Sequence, residues 1–314
     1  MGFNTWDRFA CKGINAEVMM QSADLMVSTG LKAAGYLYVN LDGCWQAPGR
    51  INGRQHPDPV KFPQGLPPVV AHIHSLGLKA GIYTALANRT CGSGPGACLN
   101  EAVDAKQYAD WLFDYVKDDA CGACRPGPNG TLEDYAAMQA GISATGRPMI
   151  LSIEAQPDVA TVSAGGHGNL RRVGHDINPT WRSMSSLIDM DSGLHPFAHN
   201  ASVSPTGNGY FNDLDIMEIG NGVFNPVNDS WPPGAVDFAR AHFSMWSILK
   251  GALLLGNDFT KMSSATLAIV SNRHAISINQ DPVCHIVHFT LFKNVFVFID
   301  IFLCVVCFLR LIWL

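Results

Sequence analysis

Short apolar runs of the strand type alternate with helical stretches about eight times along this 314-residue chain. No other feature restricts the fold as much, because a β/α repeat makes neighbouring strands parallel and covers their sheet with helices. The runs are Met1–Thr5, Tyr36–Leu41, Lys79–Thr84, Tyr115–Asp119, Met149–Ile153, Arg171–Gly174, Asp213–Ile219 and Gly251–Leu255. Asn15 is placed to cap a helix running through Thr29, with Val18, Met19, Leu25 and Met26 near helical spacing. Further helices are expected at Pro67–Leu76, Ala102–Phe113, Leu132–Thr145, Thr180–Leu187, Val236–Leu249 and Ser263–Val270. Eight such units predict the α/β class and a (β/α)8 TIM barrel over residues 1–283, not an open doubly wound sheet. No G-x-G-x-x-G stands between a strand and a helix, which argues against a dinucleotide site.

The chain is 47% hydrophobic and carries a net charge of -5 without a basic stripe, so nucleic acid is not an expected partner. Six of the nine cysteines lie in the first 124 residues, a density that suggests disulfides and an oxidising compartment. Buried free thiols read the same way, and C-x2-C at Cys121 and Cys124 is half of a zinc pattern with no second half, so no metal is expected. Sequons begin at Asn88, Asn129, Asn200 and Asn228, which favours a secreted glycoprotein. Residues 1–6 show no leader pattern, so the expectation is a cytosolic protein or a chain whose true start lies upstream.

Residues 284–314 depart from this pattern and are treated as a separate hydrophobic tail. Its core, Val295–Leu309, has Asp300 in the middle, whereas a spanning helix wants roughly 20 apolar residues. A membrane is therefore not an expected partner unless this tail is a genuine anchor. A buried strand pair is a second reading. The favoured expectation is that the tail is not native coding sequence, since its Phe, Leu, Ile, Val and Cys share T-containing codons.

In a barrel the C-terminal ends of the strands build the site. The polar and aromatic residues expected there are Trp6, Asp42, Tyr83, Lys117, Asp119, Glu154, Asp176 and Asp215. Asp119 and Lys117 are two apart, so on a strand they share one face, while Asp118 points the other way. An ammonium beside a carboxylate keeps it ionised, as a nucleophile requires. An ordinary Lys–Asp pair reads identically, and Asp176 also reads as a helix N-cap. Two carboxylates of this kind are what a glycoside hydrolase places across a sugar bond, about 5–5.5 Å apart in a retaining enzyme.

Several motifs occur in the order of one family. Met1-Gly-Phe-Asn-Thr-Trp6, Tyr38-Val-Asn-Leu-Asp-Gly-Cys-Trp45, Gly81-Ile-Tyr-Thr84 with Thr90-Cys91, Val116-Lys-Asp-Asp-Ala-Cys121, Phe211-Asn-Asp-Leu-Asp-Ile-Met217 and Ile278-Asn-Gln-Asp-Pro282 are similar to those of glycoside hydrolase family 27, the α-galactosidase or melibiase family. The resemblance implies a barrel enzyme that removes terminal α-linked galactose by double displacement and needs no cofactor. It implies Asp119 as nucleophile and Asp176 as acid/base, the latter through Arg172-Val-Gly-His-Asp176, where the family's R-x-x-G-D has its glycine one position later. It implies that Lys117, Arg172, Asp215, Asp42 and Glu154 bind sugar hydroxyls, and that Trp6 and Tyr83 line the pocket. It implies the disulfides Cys11–Cys44 and Cys91–Cys121, with Cys98–Cys124 as an additional pair. The expected partner is an α-galactoside, with a second copy of the chain carried as a candidate, and the expected location is secreted, lysosomal or vacuolar.

Three departures stand out. Where the family has D-D-C-W, this chain has Asp42-Gly-Cys-Trp45, so one acid of a hydroxyl-binding pair is Gly43. The family's C-E-W is Ile153-Glu-Ala155, and the resemblance stops near Pro282, without the family's C-terminal antiparallel β-domain. These departures keep an α-N-acetylgalactosaminidase, a β-L-arabinopyranosidase and a non-catalytic sugar-binding barrel as alternatives.

Overall fold

The computed structural model describes residues 1–127, 130–154, 167–193, 211–222, 234–281, 289–292 and 295–298. Eight parallel strands follow one another around a single sheet: β1 (Gly2–Asn4), β2 (Tyr38–Asn40), β3 (Lys79–Ala85), β4 (Tyr115–Asp119), β5 (Ile150–Glu154), β6 (Leu170–Arg172), β7 (Phe211–Asp213) and β8 (Leu254–Leu255). Their order is β7-β6-β5-β4-β3-β2-β1-β8. Met217, just past β7, pairs in parallel with Leu255 of β8, so the sheet closes on itself as the expected (β/α)8 barrel.

Register explains which residues meet inside. Tyr83, Lys117, Ser152, Leu170 and Phe211 are aligned across β3 to β7 and form one interior row. The alternate row, Ile82, Val116 and Leu151, faces outward with Val39 and Ala80 and is fully buried. This is the period-2 alternation of a strand, with the aliphatic face turned to the helices and the mixed face to the barrel axis. Gly81 is required by that interior, since a Cβ there would lie 2.1 Å from Asn40 Oδ1.

The covering helices are α1 (Trp6–Gly13), α2 (Ala16–Ser28), α3 (Pro67–Ser75), α4 (Glu101–Asp110), α5 (Gly130–Ala144), α6 (Trp181–Gly193), α7 (Ala235–Ile248), α8 (Ser264–Val270) and α9 (Arg273–Asn279). Asn15 caps α2, accepting from Val18 N at 2.8 Å. Helices α1 and α9 escape the sequence pattern. The first is eight residues long and broken at Ala10, where φ is 42°. The last is seven residues long, though its Asn272 cap accepts from His274 N and Ala275 N.

Several strands are shorter than expected or shifted, and two depart for a visible reason. The run Asp213–Ile219 is interrupted because Asp215 is left-handed (φ 80°) and its amide donates back to Asp213 Oδ1. The run Gly251–Leu255 starts late because Gly251 N still closes α7, donating to Trp246 O. In the tail, β9 (Phe289–Phe292) and β10 (Val295–Phe298) form an antiparallel hairpin. This is the pairing of the strand-pair reading; the burial of its side chains, the remainder of the tail and the anchor reading lie outside the described residues. Among the described residues no helix is long and apolar enough to cross a membrane.

Candidate active site

The site lies where the strands end. Asp42 sits two residues past β2, Tyr83 is in β3, Lys117 and Asp119 are in β4, and Glu154 and Arg172 end β5 and β6. Trp6 opens α1 directly after β1. Trp6, Asp42, Tyr83, Lys117, Asp119, Glu154 and Asp176 line one cavity of about 430 Å³, joined by Cys91, Ala120 and His175. Arg172 and Asp215 are not among the lining residues; they stand behind them, both buried.

Asp119 is the best-supported carboxylate. Tyr83 Oη donates to its Oδ2 at 2.6 Å, and Ala120 N donates to its Oδ1 at 2.9 Å. Burial by itself raises this carboxyl, but a hydrogen bond with Glu154, the Lys117 ammonium, the Tyr83 hydroxyl and Arg172 outweigh burial and hold it at about 2. Glu154 is pushed the other way, to about 8, first by burial and then by its hydrogen bond to the Asp119 charge. The pair therefore carries one proton near neutrality, on Glu154, and Asp119 is the charged member.

Asp42 is buried and held by three donors. Its Oδ2 accepts from Asn4 Nδ2 at 2.8 Å and Lys117 Nζ at 3.0 Å, and its Oδ1 accepts from Gly43 N at 2.7 Å. Lys117 stays protonated: burial opposes its charge, but Asp42 and Asp119 together outweigh burial. Asn4, the last residue of β1, was not a sequence candidate, although its place at a strand end is the signal that finds it.

Arg172 gathers the other acids. Its Nη2 donates to Asp176 Oδ1 at 3.0 Å, lies 3.2 Å from Asp215 Oδ2 and 4.0 Å from Glu154 Oε1, and also donates to Gly174 O at 3.0 Å. Asp215 Oδ2 also accepts from Ile177 N at 2.8 Å, which fixes the turn carrying Asp176. Asp213 and Asp215 are both buried, and Asp215 braces Arg172 and the turn. Asp176 itself is the open member, its side chain 69% exposed.

The disulfides Cys11–Cys44, Cys91–Cys121 and Cys98–Cys124 are all formed. The last two tie the loop after β3 to the loop after β4, just past Asp119. Two groups of three ligand atoms come within 4.8 Å, Cys91/Asp119/Cys121 and Glu101/Cys124/Asp134, but their sulfurs are spent in these disulfides. At Gly43 a Cβ would have ordinary contacts, 3.4 Å to the Tyr83 ring and 3.6 Å to Trp6, so the backbone there does not itself require glycine for space.

A largely buried ammonium, a charged carboxylate and an open carboxyl in one pocket suit displacement at a neutral, hydroxyl-rich molecule. Comparison with known proteins agrees. A family model described as alpha galactosidase A (Melibiase_2) matches residues 1–281. A probable alpha-galactosidase of Dictyostelium discoideum is 38% identical over 284 residues, 90% of this chain and 68% of its own length. Alpha-galactosidase A of Cellvibrio japonicus is 36% identical over 293 residues, 90% of this chain and 67% of its own. The crystal structure of alpha-galactosidase I from Mortierella vinacea superposes with a TM-score of 0.81 at 31% identity, covering 95% of this chain and 77% of that one. The chain thus spans about two thirds of the length of these curated relatives.

Proposed function

The chain belongs to the alpha-galactosidase (melibiase) family, and from that premise we propose that it hydrolyses terminal α-galactosides with retention of configuration. The observation that carries this reading is Asp119, ionised at about 2 and aimed by the Tyr83 hydroxyl in the cavity that Asp176 lines. In the first step an oxygen of Asp119 attacks the anomeric carbon while Asp176 delivers a proton to the departing oxygen, leaving a β-linked glycosyl-enzyme. In the second, Asp176 takes a proton from water, and the hydroxide displaces Asp119 to release α-galactose.

The surrounding groups have separable roles in this reading. Arg172 orients Asp176 and Lys117 holds charge balance between Asp42 and Asp119. Protonated Glu154 donates to Asp119 until a sugar hydroxyl replaces it. Asp42 reads hydroxyls at the closed end, without an acidic partner at Gly43. Losing one charged hydrogen bond to a sugar costs about 1.5–3 kcal/mol, so galactose binding is expected to be about tenfold to a hundredfold weaker than with an acid there. The three disulfides fit a secreted, lysosomal or vacuolar location. The test is hydrolysis of nitrophenyl α-galactoside by the purified chain and by Asp119→Asn. Activity in the first and a loss of about a thousandfold or more in the second support the assignment; equal activity in both removes Asp119 from the reaction.

A further inference from the structure

The cavity has a closed end and an open end, and one residue at the open end is unaccounted for. Of the side chains lining it, Asp42, Tyr83 and Asp119 are buried, whereas Cys91, His175 and Asp176 are exposed. Cys91 is committed to its disulfide with Cys121, and Asp176 is held by Arg172. His175 has no hydrogen-bond partner for its ring nitrogens among the described residues. Its backbone is nevertheless fixed on both sides: Arg172 Nη2 donates to Gly174 O at 3.0 Å, and Ile177 N donates to Asp215 Oδ2 at 2.8 Å. An imidazole without a partner among the described residues, on a pinned turn, is a pre-organised contact, because the backbone around it is already ordered before a ligand arrives.

The direction it faces follows from its neighbour. An enzyme that removes a terminal sugar places that sugar in the closed end and lets the leaving group emerge from the open end. Asp176, the proton donor, meets the bridging oxygen, so the adjacent residue on the same turn faces what lies beyond that oxygen. Resting on the hydrolase reading above, we propose that His175 is a specificity-determining residue that hydrogen-bonds a hydroxyl of the leaving group. The substrates favoured are then α-galactosides whose leaving group is itself a sugar. Imidazole nitrogens can donate or accept a hydrogen bond, which matches a hydroxyl that can do both. A site that hydrogen-bonds a substrate hydroxyl discriminates against an analogue lacking it.

The test compares kcat/KM of the wild-type chain, His175→Ala and His175→Gln on an α-1,6-linked galactosyl-glucose disaccharide and on phenyl α-galactoside, whose leaving group has no second hydroxyl. His175→Ala is expected to lose about tenfold more on the disaccharide than on the phenyl glycoside. His175→Gln, which keeps a donor and an acceptor, is expected to recover most of that difference. Equal losses on the two substrates, or none, overturn the proposal while leaving the hydrolase reading intact. A wild-type chain that cleaves neither substrate overturns both.

Discussion

At the scale of single residues, the account turns on how one proton is shared. Glu154 holds it up to about 8 and Asp119 is charged from about 2 upward. Raising the pH through about 8 ionises Glu154 beside the Asp119 charge, so kcat/KM is expected to fall there. Glu154→Gln cannot ionise, and the alkaline limb of its profile should move away from that value; an unchanged limb would assign it to another group. Tyr83→Phe removes the 2.6 Å hydrogen bond to Asp119 and is expected to lower kcat about tenfold, read by steady-state kinetics. Gly43→Asp is expected to leave Tm nearly unchanged, because the Cβ meets only ordinary contacts, and to tighten galactose inhibition at least about tenfold. The sequence made much of this legible. Lys117 and Asp119 share the interior face as their two-residue spacing says, and Asp118 faces outward and is buried. Spacing alone does not reveal Asn4, because it acts through Asp42, which pairing of β1 with β2 brings beside it.

At the scale of elements, the loops after β3 and β4 carry the most constraint. Cys91–Cys121 and Cys98–Cys124 join them, and Arg125 adds an ion pair to Glu101 at 2.6 Å and another to Asp134. Replacing Cys98 and Cys124 with serine frees a 26-residue separation and is expected to cost about 3 kcal/mol, seen as a Tm lower by several degrees. An unaltered Tm would mean that Arg125 and the remaining disulfide already fix both loops. The strands and long helices were readable from apolar periodicity. Helices α1 and α9 were not: α1 is broken at Ala10, and α9 follows α8 so closely that the two read as one apolar stretch. The break at Asp215 and the late start after Gly251 reflect side-chain and capping hydrogen bonds that override strand propensity.

At the scale of the whole molecule, the barrel buries many carboxyls, and this sets its response to pH. Burial is the leading cause that raises Glu218 to about 7 and Asp191 and Asp213 to about 6, alongside Glu154. A carboxyl raised in the folded state stabilises it fully below its unfolded value and loses that contribution as pH rises through the folded value. These groups therefore predict a Tm that climbs as pH falls from about 8 towards 5. His242, lowered to about 3 by burial, acts oppositely below the ordinary histidine range, so a stability maximum in mildly acidic solution is expected by calorimetry. A Tm that rises between pH 5 and 8 would contradict this balance. The barrel itself was foreseeable from the count of eight repeats, whereas its closure through Met217 and Leu255 was not, since a single bridge leaves no pattern in the chain. The central claim is that Asp119 attacks the sugar directly and that the reaction proceeds by two displacements. Proton NMR during the first minutes of nitrophenyl α-galactoside hydrolysis tests it most directly: α-galactose appearing first is the predicted result, and β-galactose appearing first would contradict it.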